Sequence, residues 1–173
     1  MDLKQFEINI LPLKDKIFRL AYYLLSNKAE AEDATQEVFL KLWNLRQELL
    51  AVENMQAFVL RVTRNLCLDK IRSQNRRAGT DELFDDAVVE KNSNPHERVE
   101  LIDTLTIVRK LIASLPETQR TIISLRDIEG LEFEEISAIT GLNENAIKVN
   151  LSRARKKIRD SFSTHPPNSN ATL

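Results

Sequence analysis

Apolar residues recur along most of this chain at the three- and four-residue spacing of helices with one buried face. Leu13, Ile17, Leu20, Ala21 and Leu24 share a face, and Ser26 with Asn27 ends that helix. Residues 29–44 form a second helix, whose Glu30, Glu32 and Asp33 suit the positive end of the helix dipole. It carries two apolar stripes: Ala31, Ala34, Val38, Leu42 and Leu45 on one, and Phe39 and Trp43 on the other, beside Asp33, Gln36 and Leu40. One core needs one stripe. The aromatic stripe therefore either fills a wide core between three helices or forms a docking face. Residues 46–54 break the period and read as a loop, with Asn54 available to cap the next helix. That helix runs from Met55 to about Gln74, apolar at Phe58, Val59, Val62, Leu66, Cys67 and Ile71 and interleaved with Arg61, Arg64, Lys70 and Arg72.

Residues 79–93 are acidic and lack a stripe, which predicts a linker. Asn94 and Pro95 then supply a cap and a first helical position, and Leu101, Leu105, Val108 and Ile112 continue the helical period. Ser114 and Glu117 have capping-box spacing, with Pro116 early in a helix that carries Ile122, Ile123 and Leu125. Glu132, Glu134 and Glu135 open a short helix with Phe133, Ile136 and Ile139 on one side; Gly141 can end it in a left-handed conformation, and Asn143 can cap its successor. From Glu144 onward, Ile147, Leu151, Ala154 and Ile158 mark a core face. Lys148, Arg153, Arg155, Lys156, Lys157 and Arg159 make the rest cationic, and residues 145–159 hold no acid. After Phe162 the tail reads as disordered.

With 173 residues, three glycines and few aromatics, the composition supports an all-α protein. The reading is two small helical domains joined by a flexible acidic linker: residues 1–78, a linker at 79–97, a helix-turn-helix domain at 98–162 and a tail at 163–173. The formal net charge is −1, short of a strongly basic free-standing DNA binder, but the charge is segregated. Residues 61–77 are basic apart from Asp69, whereas residues 81–100 hold seven carboxylates against two cations. Cys67 is alone, so an internal disulfide and a cysteine zinc cluster are excluded, and neither a metal nor a cofactor is expected. No apolar run approaches eighteen residues and no signal peptide is evident, which predicts a cytoplasmic protein.

A short helix, a glycine turn and a longer basic helix is the helix-turn-helix pattern, whose second helix enters the DNA major groove. The alternative is a solvated basic face on an ordinary bundle. LPETQRTIISLRDIEGLEFEEISAITGLNENAIKVNLSRARKKI, Leu115 to Ile158, resembles the promoter-binding C-terminal domain of bacterial sigma factors of the extracytoplasmic-function type. LuxR-type response regulators carry a similar domain, so the N-terminal half decides. There DATQEVFL, Asp33 to Leu40, resembles the sigma-family helix that binds the coiled-coil clamp of the polymerase β′ subunit, with Asp33, Gln36 and Glu37 matching that motif. FVLRVTRNLCLDKIRSQNRR, Phe58 to Arg77, is similar to the family segment that recognises the −10 element, with Arg61 and Asn65 at matching positions. Where housekeeping sigma factors wedge the duplex with a pair of aromatics, this segment has no Trp.

The resemblance covers about residues 5–160 and implies a transcription initiation factor that binds core RNA polymerase through the β′ clamp and the β subunit, recognises promoter DNA, and is restrained by an anti-sigma factor. Asp33, Gln36, Glu37, Phe39, Leu40 and Trp43 are then the polymerase-binding residues. Arg61, Arg64, Asn65 and Lys70, with the loop from Arg46 to Asn54, are expected to capture the unpaired −10 strand. Asn145, Lys148, Asn150, Ser152, Arg153, Arg155 and Lys156 are expected to hold the −35 duplex, Arg155 and Lys156 on phosphates. Two other readings compete. A sigma mimic that sequesters an anti-sigma factor need not keep Arg153, Arg155 and Lys156, and this chain does. An enzyme is disfavoured, because His96 and His165 lie in the linker and the tail and no glycine-rich phosphate loop exists. The arrangement of the two domains in the free protein is left open.

Overall fold

The computed structural model describes residues 1–78 and 99–164, with backbone alone for residues 99–104 and 164. Among them there is no strand, and no helix is long and apolar enough to cross a membrane. The expected linker, the Asn94–Pro95 cap and the tail from residue 165 lie outside the described residues. Among the described residues eight α-helices follow one another: α1 (Leu3–Asn9), α2 (Lys14–Leu25), α3 (Lys28–Asn44), α4 (Met55–Arg77), α5 (Val99–Ala113), α6 (Glu117–Ile123), α7 (Phe133–Thr140) and α8 (Glu144–Thr164).

Local chemistry sets most of the boundaries. Ser26 ends α2 in a left-handed conformation, φ 56°, and Asn27 begins the next helix by accepting the Glu30 amide at 3.0 Å. The sequence pattern assigned Asn27 to the end of α2; its side-chain oxygen makes it an N-cap. Asn54 caps α4 in the same way through the Ala57 amide, 2.9 Å, and α4 continues three residues past Gln74. The expected loop at 46–54 contains a 3₁₀ turn, Glu48–Ala51, that buries Leu49. Helix α1 left no clear periodic signal. Its Phe6 is buried against the edge-on rings of Phe39, 6.5 Å away, and Trp43, 5.2 Å away.

The Ser114–Glu117 capping box does not form. Ser114 is still bonded to the end of α5, and its hydroxyl donates to the Leu111 carbonyl at 2.7 Å; α6 starts at Glu117 behind Pro116, with no side-chain cap. Nor does the whole predicted α5 stripe reach the core: Ile112 is buried, whereas Leu105 is 53% exposed. A five-residue π-turn, Ser124–Ile128, prolongs α6 and turns the chain toward α7.

Two apolar clusters hold these helices. The smaller joins α1, α2, the end of α3 and the start of α4 through Ile10, Ile17, Val38, Leu42, Leu49 and Val59. The larger begins with Leu20, Leu24, Ala31, Leu60 and Cys67 and continues without interruption into Ile112, Ile122, Leu125, Ile136, Ile147 and Leu151. The N- and C-terminal halves thus share one interior. Each fully buried Leu or Ile contributes about 1.5–3 kcal/mol, so several such side chains from each half outweigh any single surface ion pair.

The helix-turn-helix is assembled as its residues require. Glu132 and Glu135 form the capping box of α7, Gly141 ends that helix at φ 76°, and Asn143 accepts the Ala146 amide at 2.8 Å. Ser137 closes the turn by donating to the Leu142 carbonyl at 2.6 Å. A Cβ at Gly141 would meet nothing within 4 Å, so Gly141→Ala isolates backbone strain. Its expected cost is about 1 kcal/mol in urea unfolding. An unchanged midpoint contradicts this account of the turn.

Candidate functional site

Helix α8 buries Ile147, Leu151 and Ala154 and turns Asn145, Lys148, Val149, Ser152, Arg153 and Lys156 to solvent. Lys148 is held loosely, paired with Glu144 at 2.5 Å one turn back and lying 5.3 Å from the Phe133 ring centre. Both members of that pair are exposed, so a phosphate competes for the ammonium at small cost. Two of the seven expected residues are occupied elsewhere. Asn150 is half-buried, and its amide donates to the Ala146 carbonyl of its own helix at 2.9 Å. Arg155 grips Asp127 of the π-turn with two bonds, 3.0 and 2.6 Å, and the carboxylate holds its guanidinium more firmly charged. Arg155 thereby braces α8 against the turn.

On α4, Arg61 and Asn65 are exposed, Arg61 over the Phe58 ring at 5.4 Å. Arg64 is different. Its side chain is 17% exposed, it donates to the Asn65 side-chain oxygen Oδ1 at 3.3 Å and reaches Glu117 of α6 at 4.0 Å, and burial depresses its pKa. Lys70 donates to Glu37 at 2.5 Å and to Asp33 at 3.0 Å, and these bonds raise its pKa while the Lys70 bond lowers that of Asp33. A lysine expected on DNA and two carboxylates expected on polymerase therefore form one cluster joining α3 to α4.

The rest of α3 divides as its two stripes suggest. Gln36 and Leu40 face solvent, Leu40 with 65% of its surface exposed. Phe39 and Trp43 are half-buried under Phe6, so they fill a wider core as well as edging the surface. Arg46 lies over Trp43, 4.8 Å from its centre.

Several contacts between the halves carried no sequence signal. Arg19 of α2 makes two bonds, 2.7 and 2.9 Å, to Glu129, whose side chain is 2% exposed. Arg109 of α5 donates to the Tyr22 hydroxyl at 2.7 Å. Arg120 of α6 donates to the carbonyls of Leu24 at 2.8 Å, Ala113 at 2.6 Å and Leu115 at 3.1 Å. The Arg19–Glu129, Arg109–Tyr22 and Arg120–Leu24 contacts each tie the N-terminal half to the C-terminal half. Cys67 is buried and its thiol is pushed up to about 12, so it is unreactive at neutral pH. Among the described residues no group of three or more His, Cys, Asp or Glu is placed to hold a metal ion.

Comparison with known proteins gives these surfaces a context. Residues 10–77 match the family model Sigma-70 region 2, and residues 105–158 match Sigma-70, region 4. The ECF RNA polymerase sigma factor SigE of Mycolicibacterium smegmatis is 32% identical over 158 residues, 87% of this chain and 59% of the relative. The ECF RNA polymerase sigma factor SigW of Bacillus subtilis is 29% identical over 154 residues, 84% of this chain and 82% of the relative. This chain thus spans less than two thirds of the SigE relative's length. The fold is similar to that of the sigma factor RpoE from Bartonella quintana, solved in complex with the anti-sigma factor NepR: TM-score 0.75, 24% identity, 94% of this chain and 99% of that one. Two successive sigma-70 regions covering more than half of the sequence, on helices that carry an acidic-aromatic ridge and a basic helix-turn-helix, place the chain in the extracytoplasmic-function type of bacterial RNA polymerase sigma factors.

Proposed function

We propose that this protein is a promoter-specificity factor that docks on core RNA polymerase through α3 and directs it to DNA through α8 and α4. The observation that carries the reading is the row of exposed polar and cationic groups on α8, opposite a buried stripe, in the region-4 half of a two-region sigma chain. Asn145, Ser152 and Arg153 face base edges of the −35 type element, while Lys148 and Lys156 neutralise phosphates. Arg61, Asn65 and the loop at 46–54 take the unpaired −10 strand. Opening a duplex costs roughly 1.4 kcal/mol per stacking step, more than one basic helix can offset over a transcription bubble, so polymerase completes the melting.

Two elements about 25 base pairs apart are separated by about 85 Å. In this structure α4 packs directly on α7. The halves must part before both elements are held, and the 19 residues from Gly79 to Glu97 reach roughly 65 Å when extended, enough once the breadth of the domains is added. The protein is expected to work in the cytoplasm, where polymerase is. By analogy with the RpoE complex, an anti-sigma factor is a further expected partner.

Transcription in vitro from candidate promoters by core polymerase, with and without this protein, tests the reading, and no promoter-dependent transcript sinks it. Leu40→Glu gives a cleaner probe of docking than Trp43→Ala, because Leu40 is solvent-facing whereas Trp43 packs on Phe6. The expected result is about tenfold weaker binding to core polymerase with an unchanged melting curve. Equal affinity removes α3 as the docking helix.

A further inference from the structure

From the crest of α8 we infer that Val149 reads the methyl group of a thymine in the duplex, an assignment that rests on α8 being the DNA-reading helix of the proposed function. At about 100° per residue, the buried Ile147, Leu151 and Ala154 fall within an arc of about 60°, and Val149 stands almost diametrically opposite its centre. Asn145 and Ser152 lie one turn before and after it on the same crest, with Lys148 and Arg153 on the flanks. Val149 is 39% exposed and belongs to neither apolar cluster. Among the described residues it is the one large exposed hydrophobic side chain on α7 or α8. It adds little to folding, since it lies outside both cores and a β-branched residue is a poorer helix former than the Lys148 beside it.

DNA supplies a reason. The major-groove edges of the base pairs present hydrogen-bond donors and acceptors throughout, with a single apolar feature, the thymine C5 methyl. A valine pressed against an amino or carbonyl edge strips water from it and returns no hydrogen bond. Against a thymine methyl it buries apolar surface on both sides. One apolar point in a polar row therefore calls for one thymine at a fixed position, its neighbours being read by hydrogen bonds.

The test uses the full chain on core polymerase. Holoenzyme selects duplexes from a pool with a randomised window, and each thymine of the enriched duplex is then replaced by deoxyuridine, which removes only the methyl. The expected result is one position at which deoxyuridine weakens binding about three- to fivefold, and Val149→Ala holoenzyme that has lost that sensitivity while keeping the other base preferences. Alanine favours the helix, so misfolding does not intervene. If Val149→Ala selects the same site with the same thymine dependence, or no position of the wild-type site senses the methyl, the inference is overturned. A pool that wild-type holoenzyme fails to enrich overturns the DNA-reading role of α8 itself, a separate failure.

Discussion

Glu129→Arg is expected to loosen the seam between the two halves. Both oxygens of Glu129 are taken by Arg19 across the boundary between the halves, and its side chain is almost wholly buried. Reversing the charge sets two guanidinium groups against each other at a site that water reaches on the Arg19 side. A fully buried charge left unpaired costs about 3–5 kcal/mol, and the half-exposed Arg19 puts the expected loss below that range. Because the damage falls on the interface rather than inside either half, the outcome is a larger radius of gyration in small-angle scattering, with the helical signal retained. The exchanged pair, Arg19→Glu with Glu129→Arg, should restore the compact form. An unchanged radius in the single variant would falsify the idea that this bridge holds the halves together.

Arg120→Leu is expected to lower stability by about 3 kcal/mol or more in urea unfolding. Replacing a buried ion pair by apolar residues is often harmless, because both charges leave together. Arg120 is another case: burial depresses its pKa, and its partners are three main-chain carbonyls that remain after the substitution. Two of them, Ala113 and Leu115, lie where α5 has ended and no following turn can donate to them. Arg120→Lys should recover only part of the loss, since one nitrogen cannot stand where Nη1 and Nη2 both stand. A wild-type midpoint for Arg120→Leu would remove the clamp from the account.

What the chain disclosed in advance follows the range of the interactions. Helices α2 to α4 and α6 to α8, the Asn54 and Asn143 caps and the Gly141 turn are decided within a few residues and can be read locally. Helix α1 escaped because a seven-residue helix with exposed Leu3 and Ile8 shows no stripe; only Phe6, meeting Phe39 and Trp43, gives it a place. The Arg19–Glu129 bridge joins residues 110 positions apart, and no local pattern marks either one. At the site, residue types indicated which side chains carry charge but not how each spends it. Asn145, Ser152 and Arg153 face outward, whereas Asn150 bonds to its own helix and Arg155 to Asp127.

The Lys70 cluster has a consequence for the third and fourth helices. The Lys70 ammonium spends two of its three N–H donors on Asp33 and Glu37, which fastens α4 to α3. A basic partner that draws those two acids away leaves the lysine unclaimed on the flank of α4.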